Sequence, residues 1–266
     1  MELALYQVDA FADRLFKGNP AAVCPLGDWL TDKTMQAIAM ENNLAETAFI
    51  VQEEKGWRIR WFTPTTEVKL CGHATLAAAY VYFHYIESKS DQVIFNSHSG
   101  PLFVTRSDDR LTLDFPVQPA ISIAPPEALG RALGTEPLEV LAADDWLVVL
   151  DSEETIRTLQ PDMALLKQLE RRGVIVTARG NECDFVSRFF APNYGIDEDP
   201  VTGSAHTILT PYWAERLGSN RLHARQLSTR GGELYCELKG ERVFIGGKVV
   251  PYLRGTITID EQGIYL

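Results

Sequence analysis

Residues 73–85 read His-Ala-Thr-Leu-Ala-Ala-Ala-Tyr-Val-Tyr-Phe-His-Tyr, opened by Gly72. The stretch predicts a helix that is apolar on every face. Such a helix must be enclosed by protein. Its neighbours read mostly as strands: residues 3–11, 21–25, 44–51 and 57–63 before it, and 93–95, 102–104 and 111–115 after it. The economical architecture is a helix wrapped by a curled sheet.

The same plan occurs again further along. Arg60-Trp61-Phe62-Thr63-Pro64 precedes Leu70-Cys71-Gly72-His73-Ala74-Thr75, and Arg188-Phe189-Phe190-Ala191-Pro192 precedes Thr202-Gly203-Ser204-Ala205. Each reads as a strand with arginine and aromatics, a proline-marked loop, a glycine and a helix. This predicts an internal repeat of about half the chain. The other explanation is coincidence, because the match loosens past each proline. The second helix is expected over 203–217, with Thr202 and Ser204 as cap candidates, a kink at Pro211 and Gly218 just past its end. Other helices are expected at 32–40 (capped by Thr31), 126–133, 153–159 (capped by Ser152) and 162–169. Further strands are expected at 146–150, 174–176, 184–190, 234–238, 242–245 and 254–259. Four prolines in 116–126 place a domain boundary there, giving domains 1–118 and 119–255.

Charge narrows the partners. The 266 residues carry 36 acidic against 25 basic side chains, a formal net charge of −11. Nucleic acid and anionic membrane surfaces are poor partners for such a chain. A small anion remains possible, because a nest of backbone N–H groups can override the global sign. The longest apolar run, 74–86, is too short to span a bilayer and includes His84, and the first residues do not read as a secretory signal. The four cysteines are scattered, with no zinc-ligand spacing, so reduced thiols, a cytoplasmic location and no metal are expected.

Candidate chemistry gathers at the two helix starts. Asp197, Glu198 and Asp199 precede Pro200-Val201-Thr202-Gly203-Ser204-Ala205-His206, where a helix N-terminus favours negative charge and can hold a bound anion. Asp199 reads either as an acid/base or substrate orienter, or as a charge complementing the helix end. Gly72-His73 and Gly203-Ser204 read either as N–H nests for a carboxylate or as tight turns. Glu46 lies in a run of small and apolar residues and reads either as a general acid/base raised by burial or as a strand residue facing water. His206 reads as a packed core histidine. Cys71 and His73, one residue apart, make a weak nucleophile pair. The hydrolase elbow, zincin, P-loop and Rossmann signatures are all missing.

Six motifs in order then carry a resemblance: Asp9-Ala10-Phe11, Gly18-Asn19-Pro20-Ala21-Ala22-Val23, Asn43-Leu44-Ala45-Glu46-Thr47-Ala48-Phe49, Phe62-Thr63-Pro64, Cys71-Gly72-His73-Ala74-Thr75 and Glu198-Asp199-Pro200-Val201-Thr202-Gly203-Ser204-Ala205. The chain resembles the PhzF-type phenazine-biosynthesis-like isomerases. The resemblance implies an α+β, diaminopimelate-epimerase-like fold: two pseudo-symmetric domains, each a curled, mostly antiparallel, barrel-like sheet around a central buried helix, with the site in the cleft between. It implies that the last strand, near 256–266, returns to the first domain, and that the protein is a homodimer. It implies a proton shift on a small anionic substrate without cofactor, with Glu46, His73 and Asp199 catalytic and Gly72, Gly203, Ser204 and Asn19 binding substrate. The related epimerases use a cysteine at each helix start; here the second position is Thr202. An amino-acid racemase using Cys71, or a non-catalytic binder of a small anion, are the competing readings.

Overall fold

The computed structural model describes residues 1–54 and 56–260. In chain order these form β1 (Glu2–Ala10), β2 (Asn19–Leu26), α1 (Asp32–Asn42), β3 (Glu46–Glu53), β4 (Gly56–Phe62), β5 (Glu67–Val68), α2 (Gly72–Val81), β6 (Gln92–Ser97), β7 (Gly100–Ser107), β8 (Arg110–Pro116), β9 (Ile121–Ser122), α3 (Glu127–Leu133), β10 (Glu139–Ala142), β11 (Trp146–Val149), α4 (Glu153–Thr158), α5 (Met163–Leu166), β12 (Val174–Arg179), β13 (Phe185–Ala191), β14 (Ile196–Asp199), α6 (His206–Leu217), β15 (Arg221–Gln226), β16 (Gly232–Lys239), β17 (Arg242–Gly247) and β18 (Val249–Thr258). Two compact units result: Met1–Asp114 with the chain from Gly246 onward, and Phe115–Ile245. In the first unit β18 runs antiparallel to β1, Thr258 opposite Glu2. Residues 261–266 of the expected returning segment lie outside the described residues.

The units share one pairing order. In the first, β1 is antiparallel to β2, β2 parallel to β3, β3 antiparallel to β4, and β4 takes β5 antiparallel and β6 parallel. In the second, β10 is antiparallel to β11, β11 parallel to β12, β12 antiparallel to β13, and β13 takes β14 antiparallel and β15 parallel. Helices lie in all four parallel crossovers: α1 from β2 to β3, α2 from β4 to β6, α4 with α5 from β11 to β12, and α6 from β13 to β15. The repeated arginines also have matching partners. The Arg60 guanidinium grips Glu67 with Nε and Nη2, both at 2.7 Å, and Arg188 grips Glu198 at 2.7 and 3.0 Å. Each forked pair clamps the strand that leads to a helix start.

The enclosed helices sit as their composition demands. In α2, His73 to Ala79 and Val81 are all buried, against β1, β2 and β3. The other side of that sheet packs on α1, where Met35, Ile38 and Ala39 meet Cys24, Phe49, Val51 and Phe62. Being covered on both faces explains why β3 is buried from Glu46 to Val51 instead of alternating. In the second unit, α3, α4 and α5 cover β10 to β13 through Leu129, Leu133, Ile156, Leu159, Leu166 and Phe190. Burial in α6 includes Thr207 and Thr210, whose hydroxyls donate to the Ser204 and His206 carbonyls at 2.7 and 2.6 Å, so no buried hydroxyl is stranded there.

Some expectations shift. The sheets are curled but not closed, so barrel-like overstates them. The end of the first apolar helix is a single π-turn over Tyr82–Ile86, closed by the Glu87 N–H on the Tyr82 carbonyl at 2.8 Å. The second apolar helix begins at His206, not 203, after a tight turn in which His206, Thr207 and Ile208 donate three residues back. Neither Thr202 nor Ser204 caps it. Thr31 and Ser152 do cap their helices, each accepting from the N–H three residues on, and Gly218 ends α6 at φ 62°. Strands β5, β9, β10, β14 and β15 fall outside the expected set; they are short or lie among charged residues that mask their pattern.

Candidate active site

Three segments of the first unit converge at the start of α2. Glu46 is the first residue of β3, opposite Ala21 on the parallel neighbour β2. Asn19 is the first residue of β2, delivered by a turn at Gly18. That turn needs glycine: φ is +66°, and a Cβ would stand 2.2 Å from the Ala10 carbonyl oxygen. Cys71 and His73 come from the helix start itself, where no side-chain oxygen caps the amides.

His73 is the hub. Its Nδ1 lies 3.2 Å from the Asn19 amide nitrogen and 3.5 Å from the Cys71 sulfur. In the neutral ring, Asn19 donating to Nδ1 leaves the imidazole proton on Nε2, the atom facing Glu46; in the protonated ring both nitrogens are donors. Nε2 and Glu46 Oε2 stand 3.1 Å apart, an ion-pair distance. The ring N–H is not aimed along the hydrogen-bond direction, however, and neither atom has a hydrogen-bond partner. Side-chain exposure is only 6% for His73 and 12% for Glu46, so this is a buried carboxylate–imidazole pair with unused bonding capacity.

Electrostatics fit that geometry. Burial pushes the Cys71 thiol up to about 11, with the Glu46 charge adding to it. Burial alone would lower the His73 imidazole, but the negative charge beside it outweighs burial and raises it well above its ordinary value. Because Cys71 is a neutral thiol near pH 7, Glu46 is the anion that holds the proton on His73.

The second unit gathers Asp199, Gly203 and Ser204 at the start of α6. The Thr202 hydroxyl donates to the Asp199 carboxylate, and the Thr202 N–H donates to Gln226 Oε1 at 2.8 Å. Gln226 Nε2 returns to the Asp199 carbonyl at 2.8 Å and to the Thr202 hydroxyl at 3.2 Å. His206 Nδ1 donates to the Thr202 carbonyl at 2.8 Å. Thr202 is therefore fully engaged by side chains, which is why it does not cap the helix and why the helix starts late. Arg172, held bidentately by the fully buried Asp145, donates to the Ser204 hydroxyl at 3.0 Å. Gln226, Arg172 and Asp145 carry no motif signal and become visible only in the fold. His206 is the core histidine expected, with no exposure and lowered to about 4 by burial.

One buried glutamate–histidine pair thus sits at a helix start of a sheet-and-helix plan that the chain repeats. The Phenazine biosynthesis-like protein family (PhzC-PhzF) matches residues 8–255, and the chain belongs to that family. An isomerase of Pseudomonas aeruginosa is 56% identical over 257 residues, covering 97% of this chain and 99% of its own. The crystal structure of a PhzF-family protein from Enterococcus faecalis superposes with a TM-score of 0.95 at 48% identity, covering 97% of this chain and all of that one. A predicted epimerase of Pseudomonas aeruginosa, 22% identical with a TM-score of 0.77, covering 97% of this chain and all of its own, shares the fold. The protein is an enzyme of the PhzF isomerase family. No helix among the described residues is long and apolar enough to cross a membrane.

Proposed function

We propose that the protein is a cofactor-independent isomerase that moves a proton within a small carboxylate-bearing substrate, with Glu46 as the acid/base. The observation that carries this is the Glu46 carboxylate, buried 3.1 Å from His73 Nε2 with neither atom hydrogen-bonded. A buried carboxylate with a free lone pair costs stability unless a ligand uses it. Glu46 takes a proton from a carbon next to an unsaturated or carboxylate group. The electron pair shifts onto the substrate oxygen, and the uncapped N–H groups at Gly72 and His73 meet the developing charge. Glu46, now protonated and steadied by His73, returns the proton at the other end of the unsaturated system. Asp199, Gly203 and Ser204, at the α6 start of the second unit, are substrate-binding candidates by their match to the family's motif. Cys71, a thiol held near 11, is a poor base at neutral pH, which disfavours two-thiol racemisation. The test is turnover in deuterated water. Deuterium enters the product with the wild type, and Glu46→Gln loses the exchange by about 10²- to 10⁴-fold. Unimpaired exchange in that variant removes Glu46 from the chemistry.

A further inference from the structure

Glu46, Cys71 and His73 offer a carboxylate oxygen, a thiol sulfur and one ring nitrogen, all within 4.8 Å of one another. It is the only group of three such ligands found among the described residues. Three points no more than 4.8 Å apart lie within about 2.8 Å of a common centre, against metal–ligand bonds of about 2.0–2.3 Å for zinc. Small side-chain adjustments close that gap. Nδ1 is taken by Asn19, so Nε2 is the ring nitrogen left to coordinate, and Nε2 and Glu46 Oε2 are 3.1 Å apart, roughly the separation of two ligands on one tetrahedral zinc. Glu46 Oε2 and His73 Nε2 are buried without hydrogen-bond partners, so donor capacity is unspent at this spot.

We propose that these three residues form a binding site for a thiophilic divalent cation of the zinc class, and that its occupation withdraws Glu46 from proton transfer. The donor set selects the ion: sulfur and imidazole favour zinc-like metals, whereas magnesium and calcium prefer all-oxygen shells and keep their waters. Exposures of 9%, 7% and 5% for Glu46, Cys71 and His73 leave little room for a hydrated ion. Three protein ligands leave a fourth position for water or a substrate carboxylate. Binding is an exchange of ions: the thiol loses its proton to solvent as the sulfur–metal bond forms, and a proton on the coordinating ring nitrogen leaves likewise. No electrons are transferred. The binding claim stands on geometry alone, while the inhibition claim rests on the isomerase reading.

Titration of the metal-free, full-length protein with Co²⁺ tests both. A near-ultraviolet thiolate-to-cobalt absorption band is expected to saturate at one ion per chain and to vanish when Zn²⁺ is added. Cys71→Ala abolishes the band. Glu46→Gln keeps it at saturation but weakens binding tenfold or more, and circular dichroism checks that each variant is folded. Should Cys71→Ala fail to fold, the Glu46→Gln titration decides. No saturable band, a band surviving in folded Cys71→Ala, or unchanged affinity in Glu46→Gln overturns the site. Deuterium exchange is expected to fall with Zn²⁺ over the same concentrations that fill the site. A band without that fall removes the inhibition claim alone, and a metal-free enzyme that exchanges nothing refutes the isomerase reading while leaving the metal site intact.

Discussion

Acid should destabilise the second unit through His206, by an amount that follows from its surroundings. The Thr202 carbonyl can only accept, so Nδ1 carries the proton of the neutral ring. Nε2 is then a bare lone pair, buried without a hydrogen-bond partner. The ring lies beside Phe185, centroids 5.8 Å apart, with no exposure. Protonation would put a charge and an unpaired N–H there, and burial accordingly lowers the imidazole from 6.5 to about 4. Because the folded value is depressed, this group's contribution is fully present above 6.5 and is lost as pH falls towards 4. The unfolded chain takes up a proton that the folded chain refuses, at about 1.4 kcal/mol per pH unit. The integrated loss is about 2 kcal/mol at pH 5 and about 3 kcal/mol at pH 4. His206→Asn keeps a donor near the Nδ1 position and removes the titration. Urea unfolding of both proteins from pH 7 to pH 4, followed by tryptophan fluorescence, isolates the effect from the carboxylates they share. The variant starts less stable, and its deficit should shrink by about 2 kcal/mol between pH 7 and pH 5. A deficit constant over that range would refute the argument.

His73 should behave in the opposite sense. Its folded form prefers the protonated ring, so its contribution is present below 6.5 and fades as pH rises through its raised folded value. The stability advantage of wild type over His73→Gln should therefore narrow between pH 6 and pH 9, measured by urea midpoints; parallel curves would count against the Glu46 pairing. Arg188→Met strands Glu198 and frees the Ile156 and Leu159 carbonyls, which Nη1 holds at 3.1 and 2.7 Å, so a loss of about 3 kcal/mol in denaturant unfolding is expected. Gly18→Ala forces a Cβ onto the Ala10 carbonyl at positive φ, and should lower stability by about 2 kcal/mol or more and reduce deuterium exchange as Asn19 moves away from His73.

Much of the scaffold was legible in order along the chain. Residues 73–85 have no polar face, and the structure buries them from His73 to Ala79 and at Val81 and Phe83 while leaving His84 and Tyr85 exposed; Thr31, Ser152 and Gly218 punctuate their helices by local chemistry alone. The arginine-aromatic repeat also survived, because Arg60 and Arg188 each clamp a glutamate on the following strand. The start of α6 was misread. Thr202 has the right residue type for a cap, but Asp199, Gln226 and His206 engage it first, and competition from a residue 24 positions away has no local signature.

What the sequence settled by itself was therefore whatever nearest neighbours decide: which segments must be buried, where helices stop, and which family the motifs resemble. Only the tertiary structure brought Asn19, Glu46, Cys71 and His73 together, and it did so through a parallel register that sets Ala21 opposite Glu46 and through a helix packed beneath β2 and β3. Strand register and helix packing depend on contacts between residues far apart in the chain, so the neighbours that give His73 its proton cannot be read from the residues beside it.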